Sequence, residues 1–174
     1  MDNFLASCLK KFQYYKSLGD KTFDQLSTEQ LFWQPNDSSN SIALLVKHLS
    51  GNMLSRWTDF LSTDGEKDNR NRDLEFENTW TDRKELVDHW NAGWNCLFQA
   101  IESLVEDDLE KVIYIRNEEH TVMEAILRQI AHYPYHIGQI VYIGKICIDE
   151  KWSSLSIPKG ASASYNKEKF DREK

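Results

Sequence analysis

Between Gln129 and Gly144 the chain carries no Asp, Glu, Lys or Arg, although these residues make up 28% of the whole. The segment around this gap, RQIAHYPYHIGQIVYIGK, spans Arg128 to Lys145. Its apolar residues Ile126, Ile130, Tyr133, Ile137 and Ile140 recur at spacings of three and four, which is a helical period. A helix without charge on any side is expected to be mostly buried, so the other elements must pack around this one. It also carries His132 and His136, about 40° apart around the helix axis and about 6 Å apart along it. Buried imidazoles need polar partners.

With seven glycines and three prolines, little in the chain interrupts long helices. The apolar spacing predicts a first helix over residues 2–18, with Gly19 as its stop signal. A short turn over 27–32 opens with Ser27 and Gln30 in capping-box spacing. A second long helix starts near Asn40 or Ser41 and carries Ile42, Leu45, Val46, Leu49, Met53, Trp57 and Phe60. A third starts near Thr81 and carries Leu86, Trp90, Trp94, Leu97, Ile101 and Leu104. The fourth starts at Thr121, with Glu124 completing a second capping box, and runs to about Ile146.

Four such helices imply an all-α four-helix bundle. About 18 residues separate the second and third helices, more than an antiparallel hairpin needs. That length favours an up-down-down-up order with a long crossover. Val112, Ile113, Tyr114 and Ile115 are β-prone and would form a short ribbon before the last helix. Residues 1–165 read as one domain, and the charged stretch 166–174 as a disordered tail.

Composition excludes several classes. A formal net charge of −7 and the absence of a basic run argue against nucleic-acid binding. The first residues, MDNFLASCLKKF, do not read as a signal peptide, and no apolar window is long enough for a membrane span. Cys8, Cys96 and Cys147 are far apart and odd in number. That pattern fits free thiols and a cytoplasmic location.

Two imidazoles on one turn can share a transition-metal ion. The third ligand would come from His48, on the second long helix beside the stripe of Ile42, Val46, Leu49 and Met53. Asn52 shares its polar line, while Gln139, Arg128 and Gln129 share that of the helix-four pair. Three histidines would leave an open coordination position, as catalytic sites do. The H-x-x-x-H spacing alone is a weak motif, and a buried hydrogen-bond network of core histidines fits the same residues. Pro134 is read as a packing residue. His89 and His120 lack a second ligand at helical spacing. Cys147 lies about 16 Å along the helix from His136, so a protein thiolate nucleophile is disfavoured.

With these residues in place, the chain resembles the DinB/YfiT-like superfamily of four-helix metalloproteins. The resemblance rests on W-x-P…SNSI-A-L-L-x-x-H-L over Trp33–Leu49 and on R-Q-I-A-H-Y-x-Y-H-I-G-Q-I-V over Arg128–Val141. The ending W-S-S-L-S-I-P-K-G, Trp152–Gly160, resembles a branch known only as a domain of unknown function. The resemblance implies a divalent metal (Zn, Ni, Fe or Mn) on His48, His132 and His136. It also implies a homodimer and, from some relatives, a low-molecular-weight thiol as co-substrate.

The expected function is a metal-dependent enzyme acting on a small molecule, a thiol-dependent S-transferase or a hydrolase. The metal would lower the pKa of a water or thiol bound to it; no protein residue is assigned as catalytic. Gln139 and Asn52 would orient ligands or substrate, and Arg128 would hold an anionic group. Trp33, Trp94, Tyr133 and Tyr135 are candidate pocket walls, although each also suits a core. Residues 152–165 are placed to fold back as a lid. The alternative is a non-enzymatic metal-binding or structural bundle of the stress-response type.

Overall fold

The computed structural model describes residues 3–77 and 79–171. The chain is predominantly helical, in keeping with an all-α class. In order, it forms α1 (Phe4–Phe23), α2 (Thr28–Phe32), α3 (Ile42–Trp57), α4 (Arg83–Glu102), β1 (Val112–Ile115), β2 (Glu118–Thr121), α5 (Val122–Ile148) and α6 (Ser162–Phe170).

Helix starts follow capping chemistry. The side chains of Asn3, Ser41 and Asp82 accept the backbone N–H groups of Ala6, Leu44 and Glu85. Ser27 with Gln30 and Thr121 with Glu124 form the two reciprocal capping boxes that their spacing predicts. The predicted ribbon is the antiparallel pair β1–β2, in register from Val112–Thr121 to Ile115–Glu118.

The four long helices share one core. α3 packs along α4 and α1 along α5, and the pairs meet through α3–α5 and α1–α4. Phe12, Trp90, Trp94 and Tyr133 are fully buried at its centre. Along α3 and α4 the contacts advance together, with Ser50 against Gly93 and Thr58 beside Cys96. Between α3 and α5 the Tyr133 hydroxyl accepts from Trp57 Nε1 at 3.0 Å and donates to Asn52 Oδ1 at 3.1 Å. A phenol buried this deeply needs such partners, and they fix the two helices relative to each other.

The connection from α3 to α4 is held down at several points. Ser55 Oγ donates to the Gly65 carbonyl, and Gly65 N–H donates to the Tyr114 carbonyl of β1. Asp64 accepts the N–H groups of Arg116 and Asn117 at 2.8 Å each. Those two residues form the β1–β2 turn with φ values of 58° and 60°, a conformation costly for side chains other than Gly and Asn. The Asp64 carboxylate offsets that cost.

Three expectations need correction. α1 does not stop at Gly19 but runs to Phe23. Gly19 is there because a Cβ would lie 2.5 Å from Trp90 Cζ2; it permits α4 to approach, and the helix continues. The charge-free stretch of α5, residues 129–144, is less buried than expected, since Tyr135 and Tyr142 are exposed. Absence of charge does not imply burial, because much of any protein surface is apolar. Residues 166–170, expected in the disordered tail, belong to α6, a helix with no buried residue; residues 172–174 lie outside the described residues.

Two glycine substitutions should have opposite signs. Gly138 has no atom within 4 Å of an added Cβ, so Gly138→Ala should raise stability by about 0.5–1 kcal/mol. Gly19→Ala should lower it by about 1–3 kcal/mol through overpacking against Trp90. Urea unfolding of the two variants checks both.

Candidate metal centre

α3 supplies His48 and α5 supplies His132 and His136. Among the described residues these three form a group whose ligand atoms all lie within 4.8 Å of one another. His132 Nε2 is 3.1 Å from His136 Nε2 and 3.4 Å from His48 Nε2. Three nitrogens at about 2.0–2.1 Å from one tetrahedral ion would be about 3.3–3.4 Å apart.

The other nitrogen of each ring faces an oxygen. His48 Nδ1 is 2.9 Å from Glu75 Oε2, His132 Nδ1 is 3.1 Å from Gln129 Oε1, and His136 Nδ1 is 3.1 Å from Gln139 Oε1. A carboxylate or amide oxygen only accepts, so each ring donates through Nδ1–H. A neutral imidazole has one proton, and each Nε2 is left as a bare lone pair. A hydrogen bond between two Nε2 atoms would require a proton there, which all three acceptors oppose. Lone pairs this close repel unless a cation lies among them. The donor set therefore fits a divalent transition metal by its chemistry as well as its spacing.

The layer behind the histidines comes largely from the connection between α3 and α4. A 3-10 turn, Asp73–Phe76, presses Phe76 onto the His48 ring, with centroids 5.1 Å apart. The same turn aims the buried Glu75 at Nδ1. Arg70 grips Glu75 with two hydrogen bonds, Nε to Oε1 at 2.7 Å and Nη2 to Oε2 at 2.9 Å. Gly51 makes room for this carboxylate, since a Cβ would sit 2.5 Å from Glu75 Oε1.

Burial tends to raise the Glu75 pKa, but hydrogen bonds from His48 and Arg70 and the Arg70 charge hold it below the ordinary value. Burial lowers the pKa of His132 to about 3, because a proton there would be desolvated and would lie close to the other two imidazoles and to the guanidiniums of Arg56 and Arg70. Burial lowers that of His136 as well, against the Gln139 hydrogen bond. Both rings are held in the neutral form that binds metal.

A cavity of about 440 Å³ opens beside the histidines, with Asn52, Arg128, Tyr135 and Gln139 among its walls. Gln139 orients His136, whereas Asn52 accepts the Tyr133 hydroxyl. Tyr135 lines the cavity. Trp94 and Tyr133 are core, and Trp33 lies in a separate groove with Tyr142. None of residues 152–165 lines the cavity among the described residues. The segment after α5 is tied instead to Gln25, which exchanges two hydrogen bonds with Ser153, and Trp152 lies beside Gly144. A lid over the histidines is therefore not what this segment forms.

Glu75 and Arg70 escape the sequence reading of the site, and Gln129 is placed there on the histidines' stripe without a role. Gln129 had a signal: it precedes His132 by three residues, as Gln139 follows His136 by three. Glu75 and Arg70 lie in a polar loop, and nothing local marks them.

Acid should destabilise the metal-free protein. Below about pH 6.5 the unfolded chain binds a proton at residue 132 that the folded chain refuses until about pH 3, so stability falls as pH is lowered through that window. Glu75, with its lowered folded pKa, adds a loss in the same direction at the acid end. The urea midpoint in chelator should drop between pH 7 and pH 5, and His132→Gln should flatten that slope.

Comparison with known proteins adds the following. A family model described as a protein of unknown function, DUF1572, matches residues 1–161. The chain belongs to that family. The crystal structure of the conserved protein of locus from Enterococcus faecalis is similar, with a TM-score of 0.67 at 15% sequence identity, covering 86% of this chain and 100% of that one. At that identity the likeness concerns the fold alone. No curated protein matches this chain.

Proposed function

We propose that this member of the DUF1572 family is a divalent-metal-dependent enzyme acting on a small molecule. The observation that carries the proposal is the convergence of three proton-free Nε2 atoms, each set by an oxygen on its Nδ1. A divalent ion held there would supply Lewis-acid activation of a water or a thiol. The chain's own part is positional. Glu75, Gln129 and Gln139 fix the rings, Arg70 holds Glu75 ionised, and Asn52 and Tyr135 shape the adjoining space. That space, about 440 Å³, is of small-molecule size. It favours an enzyme over a purely structural metal site, which has no use for an adjoining cavity.

The finer reading is a DinB/YfiT-like protein: an up-down-down-up four-helix bundle, active as a homodimer in the cytoplasm, using a low-molecular-weight thiol in an S-transferase or hydrolase reaction. Its support is the motif resemblance over Trp33–Leu49 and Arg128–Val141. The parallel advance of contacts along α3 and α4 supports the bundle order. Among the described residues no helix is long and apolar enough to cross a membrane.

Metal content per chain, measured by mass spectrometry on untagged protein, tests the centre. The expected result is about one divalent ion per chain, lost in His48→Ala and in His136→Ala. Glu75→Gln should weaken affinity about 10–100-fold. No metal after anaerobic addition of Zn, Ni, Mn and Fe(II) would sink the proposal. One ion per chain with no turnover of any thiol or electrophile pair would instead favour the non-enzymatic alternative.

A further inference from the structure

The cavity beside the histidines carries charge opposite to that of the protein as a whole. Among the described residues five arginines line it, Arg56, Arg70, Arg72, Arg116 and Arg128, and no carboxylate does. This occurs in a chain of net charge −7. The nearby carboxylates are already shared. Glu66 lies 3.1 Å from Arg70, 3.4 Å from Arg116 and 3.8 Å from Arg56. Glu75 is taken by Arg70 and His48. Two carboxylates thus serve three guanidiniums, and the side chains of Arg72 and Arg128 have no ion pair among the described residues.

Arg56 makes the imbalance acute. It is 4% exposed, its closest carboxylate is at 3.8 Å, and its Nε and Nη1 are buried without a hydrogen-bond partner. A buried, poorly paired charge is costly, and a compensating anion in the adjoining cavity would offset that cost. The exposed Arg72 and Arg128 are free to meet such an anion directly. Guanidinium groups match planar carboxylate and phosphate oxygens in pairs. The cavity volume limits the ligand to a small molecule, and the acidic exterior repels a polyanion.

We propose that the ligand of this cavity is a small oxyanion-bearing molecule with at least two negative charges, contacted by Arg128 and Arg72 over the buried charge of Arg56. The proposal rests on reading the three-histidine cavity as a ligand site, and it names the class of ligand. It does not require the metal, which allows the two ideas to be tested apart.

The test is calorimetric titration of metal-stripped, full-length protein with two probes, succinate and inorganic phosphate, at low ionic strength. Saturable binding of at least one probe is expected. Its affinity should fall with added salt, and about tenfold or more in Arg128→Gln, with a further loss on adding Arg72→Gln. Both positions are exposed, so these variants keep their fold, and thermal melts confirm it. Arg56→Met should abolish binding; if it does not fold, the exposed pair decides. Metal content is measured on matched samples. Dianion binding without any metal uptake would leave this proposal standing and sink the metal centre. Metal uptake with no binding of either probe would overturn this proposal, as would an affinity unchanged in the double variant.

Discussion

A neutral imidazole has one proton for two nitrogens, and in this protein an oxygen claims that proton from each of three rings. The constraint propagates in both directions. Inward, it turns three lone pairs toward one point. Outward, it obliges the fold to deliver three acceptors to three places. α5 delivers two of them locally, through glutamines three residues before one histidine and three residues after the other. The third comes from outside the helices, as the Glu75 carboxylate at His48 Nδ1. The connection between α3 and α4 brings Glu75 there, and Arg70 and Gly51 make a buried carboxylate tolerable.

The same segment shapes the electrostatics. Glu66 and Glu75 neutralise part of an arginine cluster from behind, leaving the cavity side cationic within an acidic protein. Charge of opposite sign to the whole, confined to a concave surface, focuses attraction on small anions while the outer surface repels large ones. Specificity for size and for sign thus comes from one arrangement. The hairpin turn takes part as well, since Asp64 holds both that connection and the strained Arg116–Asn117 pair in place.

Local chemistry was legible in the sequence and tertiary chemistry was not. The two capping boxes, the β-prone run at Val112–Ile115 and the helical period of α5 each depend on residues within a few positions of one another. His48 was readable as a neighbour of His132 and His136 because all three sit beside apolar stripes that must face the same core. Glu75 was unreadable because its partners are 27 residues away along the chain for His48 and hidden in a polar loop for Arg70. Gly19 was misread because a glycine that ends a helix and one that admits a tryptophan look identical in one dimension. The uncharged span of α5 implied that most of it is buried, but tyrosine hydroxyls and small residues satisfy water well enough to leave one face open.

The histidine cluster also bears on the lifetime of the folded protein. His48 and His132 are 84 residues apart in sequence, so their contact closes a long loop. The cluster is therefore assembled only where α3 and α5 are packed against each other, and it is absent from an unfolded chain. The cluster is thus a record of completed folding: any ion or anion that binds it recognises a finished chain and slows the unfolding of that chain. A cell limited in the ligand would hold this protein in a form that opens more readily, which ties its lifetime to the supply of what it binds.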